Sequence, residues 1–135
     1  MATTRHLDDD RSRLDIDFIH RFLSEDAYWA KGRPRQLVEN TIKASAAVVG
    51  ACHDGDQVGF ARVVSDGAAI AYLADVFVAQ DHRGKGLGKA LVKQAVENGP
   101  FANLRWALYT EDAHSLYEQY GFRPPSDRFM ERPKP

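Results

Sequence analysis

Residues 75–99 read DVFVAQDHRGKGLGKALVKQAVENG, and the order of residue types in them sets the architecture of the chain. Val76-Phe77-Val78 is a short apolar run of strand type, followed by the polar Gln80-Asp81-His82. Gly84, Gly86 and Gly88 come next, and after them a helical pattern takes over. Leu87, Leu91 and Ala95 recur four apart on one side, and Lys85, Lys89, Lys93 and Glu97 four apart on the other. Asn98-Gly99-Pro100 stops that helix. The stretch therefore predicts strand, glycine-rich turn and helix. Glycines let backbone amides approach a ligand without a Cβ in the way, and amides that open a helix lie at the positive end of its dipole. With Arg83, Lys85 and Lys89 adding mobile charge, such a turn suits an anion, phosphate above all.

Spacing narrows the phosphate ligand. A dinucleotide fingerprint starting at Gly84 needs glycine where Lys89 stands. A Walker loop ending at Gly88-Lys89 needs glycine where Arg83 stands, and a hydroxyl for magnesium where Ala90 stands. The residues instead spell Q-x-x-R-G-x-G-x-G through Gln80, Arg83, Gly84, Gly86 and Gly88. This resembles the acyl-CoA-binding motif of the GNAT N-acyltransferase superfamily. The resemblance implies that Arg83, Gly84, Lys85, Gly86, Leu87, Gly88 and Lys89 hold the pyrophosphate of coenzyme A. It also implies that the pantetheine arm lies along Val76, Phe77 and Val78 like an added strand.

A chain of 135 residues is long enough for one core and too short for two, so residues 1–135 are expected to form a single domain. With 44% hydrophobic and 27% charged residues it reads as an ordinary globular chain, and a net charge of −1 gives no general nucleic-acid or membrane surface. The single Cys52 excludes an intrachain disulfide and fits a reducing, cytoplasmic compartment; neither a signal-peptide core nor a membrane span is seen. Cys52 and His53 are neighbours on an expected strand, where side chains alternate, so they cannot pair simply; Cys52 reads as a small buried residue. No His/Cys/Asp cluster has zinc spacing, so no metal is expected.

From the N-terminus, a short strand is expected around Thr3 to Leu7. A helix follows, capped by Asp15, with Ile19, Phe22 and Leu23 on one face. Tyr28 and Trp29 then sit beside Lys31 and Arg33 in a stretch broken by Gly32 and Pro34. They either cover the core edge or line the side on which a substrate binds. Pro34 suits the start of a second helix with Leu37, Val38 and Ile42 as its stripe. Ala46 to His53, Val58 to Val64 and Ala69 to Val78 read as three strands joined by Asp54-Gly55 and Asp66-Gly67 turns, an antiparallel meander. Leu104 to Tyr109 is a strand that the helical crossover lays parallel to its predecessor. Asp112 caps a helix from Ala113 to Tyr120, and Phe122 and Phe129-Met130 offer closing strand residues. The fold class is α/β (α+β): a mixed, mostly antiparallel sheet with helices on both faces.

Ala113, Leu116, Tyr117, Gly121 and Phe122 resemble A-x-x-L-Y-x-x-x-G-F, a second GNAT signature. Family resemblance implies acetyl-CoA as co-substrate and direct attack by an amine of a small molecule or peptide, with a homodimer allowed. It places Tyr117 as the general acid for the leaving thiolate, against a purely core role. It also makes the amide of Val76 or Phe77 the oxyanion donor, and borders the acceptor with the segment of Tyr28 and Trp29. Asp75 is the candidate base, with Glu111, His114 or relayed water as alternatives; it could instead orient amides or bind substrate. Arg62 either binds an acidic group of the acceptor or faces solvent. A module that binds acyl-CoA for regulation without turnover is the alternative to an enzyme.

Overall fold

The computed structural model describes residues 5–135. Its centre is one five-stranded sheet in the order β1-β2-β3-β4-β5, formed by Arg5–Asp8, Ala47–His53, Asp56–Ser65, Ile70–Val78 and Arg105–Ala107. The first four strands pair antiparallel and β5 runs parallel to β4, as the crossover predicts. Thr3 and Thr4, part of the expected first strand, lie outside the described residues. Asp54 and Gly55 both take positive φ (50° and 88°), the backbone that a two-residue hairpin with the twist of its strands requires.

Helices α1 (Ile16–Arg21) and α2 (Arg35–Ala44) cover one face; α3 (Leu87–Val92) and α4 (His114–Glu118) cover the other. Asp15 caps α1 as expected, its Oδ1 accepting from the N–H of Phe18 at 3.0 Å. Both α1 and α3 run on into a wider turn, closed by Ala27 N–H to Phe22 O and Asn98 N–H to Lys93 O. Ile19, Leu23, Val38, Ile42, Phe60 and Phe77 form the core under α1 and α2. Ala61, Val63, Leu73, Leu91, Val92 and Tyr117 belong to the core under α3 and α4. No helix among the described residues is long and apolar enough to cross a membrane.

Three local expectations give way. Leu37 is 44% exposed, and Val38 and Ile42 alone carry the buried stripe of α2. The start of α4 is held by Thr110, whose Oγ1 accepts from Ala113 N–H at 3.0 Å, and no Asp112 side chain caps it. Phe122 and Phe129-Met130 do not close the sheet: no strand follows β5, and Met130 is 91% exposed.

One irregularity positions everything described next. Arg62 pairs with Ala74 and Phe60 with Phe77, so Asp75 and Val76 together oppose the single residue Ala61. This is a β-bulge, with Asp75 in the left-handed region at φ 54°. Ala71 and Leu73 face α3; past the extra residue, Phe77 turns to α1 and α2, stacking on Phe22 at 4.0 Å between centroids. Since β5 pairs only with Ile70 to Tyr72, the rest of that edge of β4 has no strand beside it among the described residues.

Gly59 lies beneath α3 with no room for a side chain. A Cβ there would stand 3.0 Å from Phe77 O and 3.2 Å from Leu91 Cδ1. Gly59→Ala should therefore lower stability by about 1–3 kcal/mol, the usual cost of overpacking, in urea unfolding. An unchanged midpoint would mean that the neighbouring strands and Leu91 give way at no cost.

Candidate active site

Asp75 is buried, yet three donors from distant parts of the chain reach its carboxylate. Trp29 Nε1 donates to Oδ1 at 2.8 Å, and Arg33 Nη1 and Arg62 Nε donate to Oδ2 at 2.8 and 2.7 Å. Burial works to raise the pKa of this carboxyl, but Arg62, Arg33 and Trp29 outweigh it and hold it below the ordinary carboxylate value. Trp29 and Arg33 belong to the segment between α1 and α2. That segment is thus strapped across the bulge.

Tyr28 fastens the strap a second time: its hydroxyl accepts from the N–H of Glu111 at 2.8 Å, in the loop after β5. Its ring meets that of Trp29 edge-on at 5.0 Å. The two aromatics are 43% and 41% exposed, too open for core residues. They face a cavity of about 600 Å³ whose wall also includes Arg62, Val76, Glu111 and Tyr117. The cavity thus gathers Tyr28, Trp29, Arg62, Asp75, Val76 and Tyr117, all singled out from sequence. It is of the size that small-molecule sites have.

Tyr117 is buried on α4 with its ring against Phe122. Burial, with Tyr28 and Asp112 adding to it, pushes its phenol up to about 12. Phe77 and Val78 turn their side chains into opposite cores, so that end of β4 offers a ligand mainly its backbone. The glycine turn follows directly. Leu87 is buried and anchors it, while Gly84 and Gly86 take φ 77° and 83° with nothing within 4 Å of an added Cβ. The amides of residues 84 to 89 find no acceptor among the described residues, as at the open first turn of a helix. Arg83 is tied to the strand end by Nε to Val78 O at 3.0 Å. The turn can hold an anion and the open edge of β4 can lead an extended ligand from it to Tyr117.

Arg33, Tyr72, Tyr109 and Thr110 belong to the site or its support without having been singled out. Arg33 stands in the stretch that Tyr28 and Trp29 mark, but its partner Asp75 is 42 residues away, so the contact itself is not readable from its neighbours. Glu111 lines the cavity, whereas His114 is exposed and outside its wall. Cys52 is half-buried rather than buried, its thiol pKa raised by burial and by Asp8 and Asp56, so nothing activates it as a nucleophile. Its neighbour His53 packs against His82. No group of three or more His, Cys, Asp or Glu residues that could hold a metal occurs among the described residues.

Residues 44–124 match the family model of the acetyltransferase (GNAT) domain. A crystal structure from Xanthomonas campestris pv. campestris, assigned to the GNAT family of acetyltransferases, shares 47% identity. It superposes with a TM-score of 0.92 over 98% of this chain and 94% of that one. An uncharacterized N-acetyltransferase of Pyropia yezoensis is 32% identical over 74% of this chain and 60% of its own length. A GNAT acetyltransferase of Brucella melitensis, solved with acetyl-CoA, shares the fold at 17% identity with a TM-score of 0.70, covering 90% of this chain and 84% of that one.

Asp75→Asn leaves two guanidinium groups without their anion. It should cost about 3–5 kcal/mol in denaturant unfolding at pH 7, as breaking a buried ion pair does. Because the folded pKa lies below the unfolded one, this stabilisation is complete above the ordinary value of about 3.9 and is lost as pH falls through the lowered value. The stability gap between the two proteins should therefore narrow on acidification below about pH 4. A gap that ignores pH would mean that the charge of Asp75 contributes nothing.

Proposed function

Because this chain belongs to the GNAT family of acetyltransferases, we propose that it transfers the acetyl group of acetyl-CoA to a primary amine of a small molecule or peptide. The amine attacks directly, with both substrates bound together. The observation that carries this reading is that Tyr117 and Val76 share the wall of one cavity, while the open edge of β4 runs on from Val76 toward the free amides of the turn. The residues fit coenzyme A, since Gly84 and Gly86 leave open space where side chains would otherwise stand over the amides. Bound there, acetyl-CoA supplies an acetyl group already activated as a thioester.

Each part of the chain then has a task. The amides of residues 84 to 89, with Arg83, Lys85 and Lys89, bind pyrophosphate. The backbone of Val76 to Val78 pairs with the pantetheine amides, and the amide of Val76 or Phe77, beside the bulge, steadies the oxyanion. Tyr117 keeps its proton at neutral pH, because its phenol is pushed up to about 12, and donates it toward the departing sulfur.

The acceptor ammonium, with a pKa of about 10, must lose a proton before it can attack. Asp75 is poorly placed for that step, because its carboxylate already accepts three hydrogen bonds and its pKa is lowered. It serves better as the anchor of the bulge. Glu111 lines the cavity with no ion-pair partner among the described residues and takes the proton through water. Tyr28 and Trp29 border the acceptor. Lone Cys52 suits the reducing, cytoplasmic compartment in which the reaction is placed. The placement of Tyr117 in the cavity favours turnover over a module that only holds acyl-CoA.

Two variants test this. Gly86→Glu puts a carboxylate where pyrophosphate meets the backbone, and should abolish CoA binding in calorimetry. Unchanged affinity would remove the cofactor assignment. Tyr117→Phe keeps the ring and should lower the single-turnover rate by about 10²–10⁴ while CoA still binds. In the wild type the alkaline limb due to Tyr117 should lie above pH 10, given a phenol pKa of about 12. An undiminished rate in a folded Tyr117→Phe protein would move the proton donor elsewhere.

A further inference from the structure

Asp75 answers two guanidinium groups with one carboxylate. Arg33 and Arg62 both reach its Oδ2, and their side chains are only 17% and 14% exposed. This cluster therefore holds one positive charge more than it holds negative, in a place largely withdrawn from water. Charge so placed is costly until a counter-ion or water meets it.

Arg62 is where that charge meets the cavity. It engages Asp75 through Nε alone; Nη1 and Nη2 have no acceptor among the described residues, yet they are not sealed from solvent. Anchored at Nε and carried on β3 opposite Ala74, the guanidinium is oriented before any ligand arrives. A fixed fork with two free nitrogens is the arrangement that takes a carboxylate through paired N–H bonds. Glu111 and Asp112, in the loop after β5, give the same cavity two carboxylates without ion-pair partners among the described residues. The cavity thus has a positive pole on the sheet and a negative pole on that loop.

We propose that the acceptor is an aminocarboxylate, a free amino acid in the simplest case, whose carboxylate seats on the Nη atoms of Arg62 while its amine faces Glu111. This rests on the acetyltransferase reading and narrows it. In the step itself a C–N bond forms to the acetyl carbon and the C–S bond breaks. The ammonium loses two protons in all, one ending on the thiol and one in solvent. A simple diamine can meet Glu111 and Asp112 but leaves the Nη atoms of Arg62 without a counter-ion, which only a carboxylate supplies.

The test compares each common amino acid with the amine that lacks only its carboxylate. Binding to the full-length protein in the presence of CoA is read by calorimetry, and turnover by thiol release from acetyl-CoA. At least one amino acid should bind and react, with its decarboxylated counterpart about tenfold to a hundredfold weaker, the worth of a charged hydrogen-bonded contact. Arg62→Gln should shrink that ratio to within about threefold, read on protein that still binds CoA. Should the variant fail to fold, the wild-type comparison decides alone. Decarboxylated amines that bind as well as amino acids, or a protein that binds CoA and no amino acid, would overturn the proposal. A wild type that does not bind CoA would instead remove the acetyltransferase reading on which it stands.

Discussion

One residue too many in β4 governs this molecule. The bulge at Asp75 and Val76 turns Phe77 toward α1 and α2 and Val78 toward α3, so that the last part of the strand is gripped by both cores. A left-handed backbone at a residue with a side chain costs about 1–2 kcal/mol, and here three hydrogen bonds to the same residue offset it. Those bonds also fix the strap between α1 and α2 over the sheet. Bend, strap and guanidinium fork thus meet at one carboxylate.

The parts legible in the sequence are those dictated by near neighbours. Gly84 and Gly86 announce the turn because positive φ and bare backbone are local demands, and Asp54-Gly55 announces its hairpin for the same reason. The four-residue recurrence of Leu87, Leu91 and Ala95 gives α3 its buried face. The bulge is not legible as such. Apolar residues stand on both sides of it, so an alternating pattern with one residue inserted reads as an unbroken run. Its trace is Asp75 itself, a charge where an apolar residue belongs, and sequence alone suggests chemistry there rather than architecture. Arg33 stands in the stretch that Tyr28 and Trp29 mark, but nothing local shows that its partner is Asp75.

Aromatic residues are the hardest to read. Tyr28 and Trp29 resemble core residues in type, but each spends its polar atom on a partner far along the chain, leaving the ring face to the cavity. Phe129 and Met130 look equally apolar and find no strand to join. Residue type supplies the wish to be buried; only the available neighbours decide whether it is granted.

The short reach of β5 has a consequence for the order in which the chain assembles. The meander from β2 to β4 closes through tight turns between adjacent strands, which costs little loop entropy. The parallel pairing of β5 must wait until the whole of α3 and its flanking turns are in place, and then gains only three residue pairs. Helices of the length of α3 and α4 have no stability of their own apart from the sheet. The wall that bears Thr110, Glu111 and Tyr117 therefore rests on a three-pair strand contact and on a five-residue helix that only packing against the sheet holds in place.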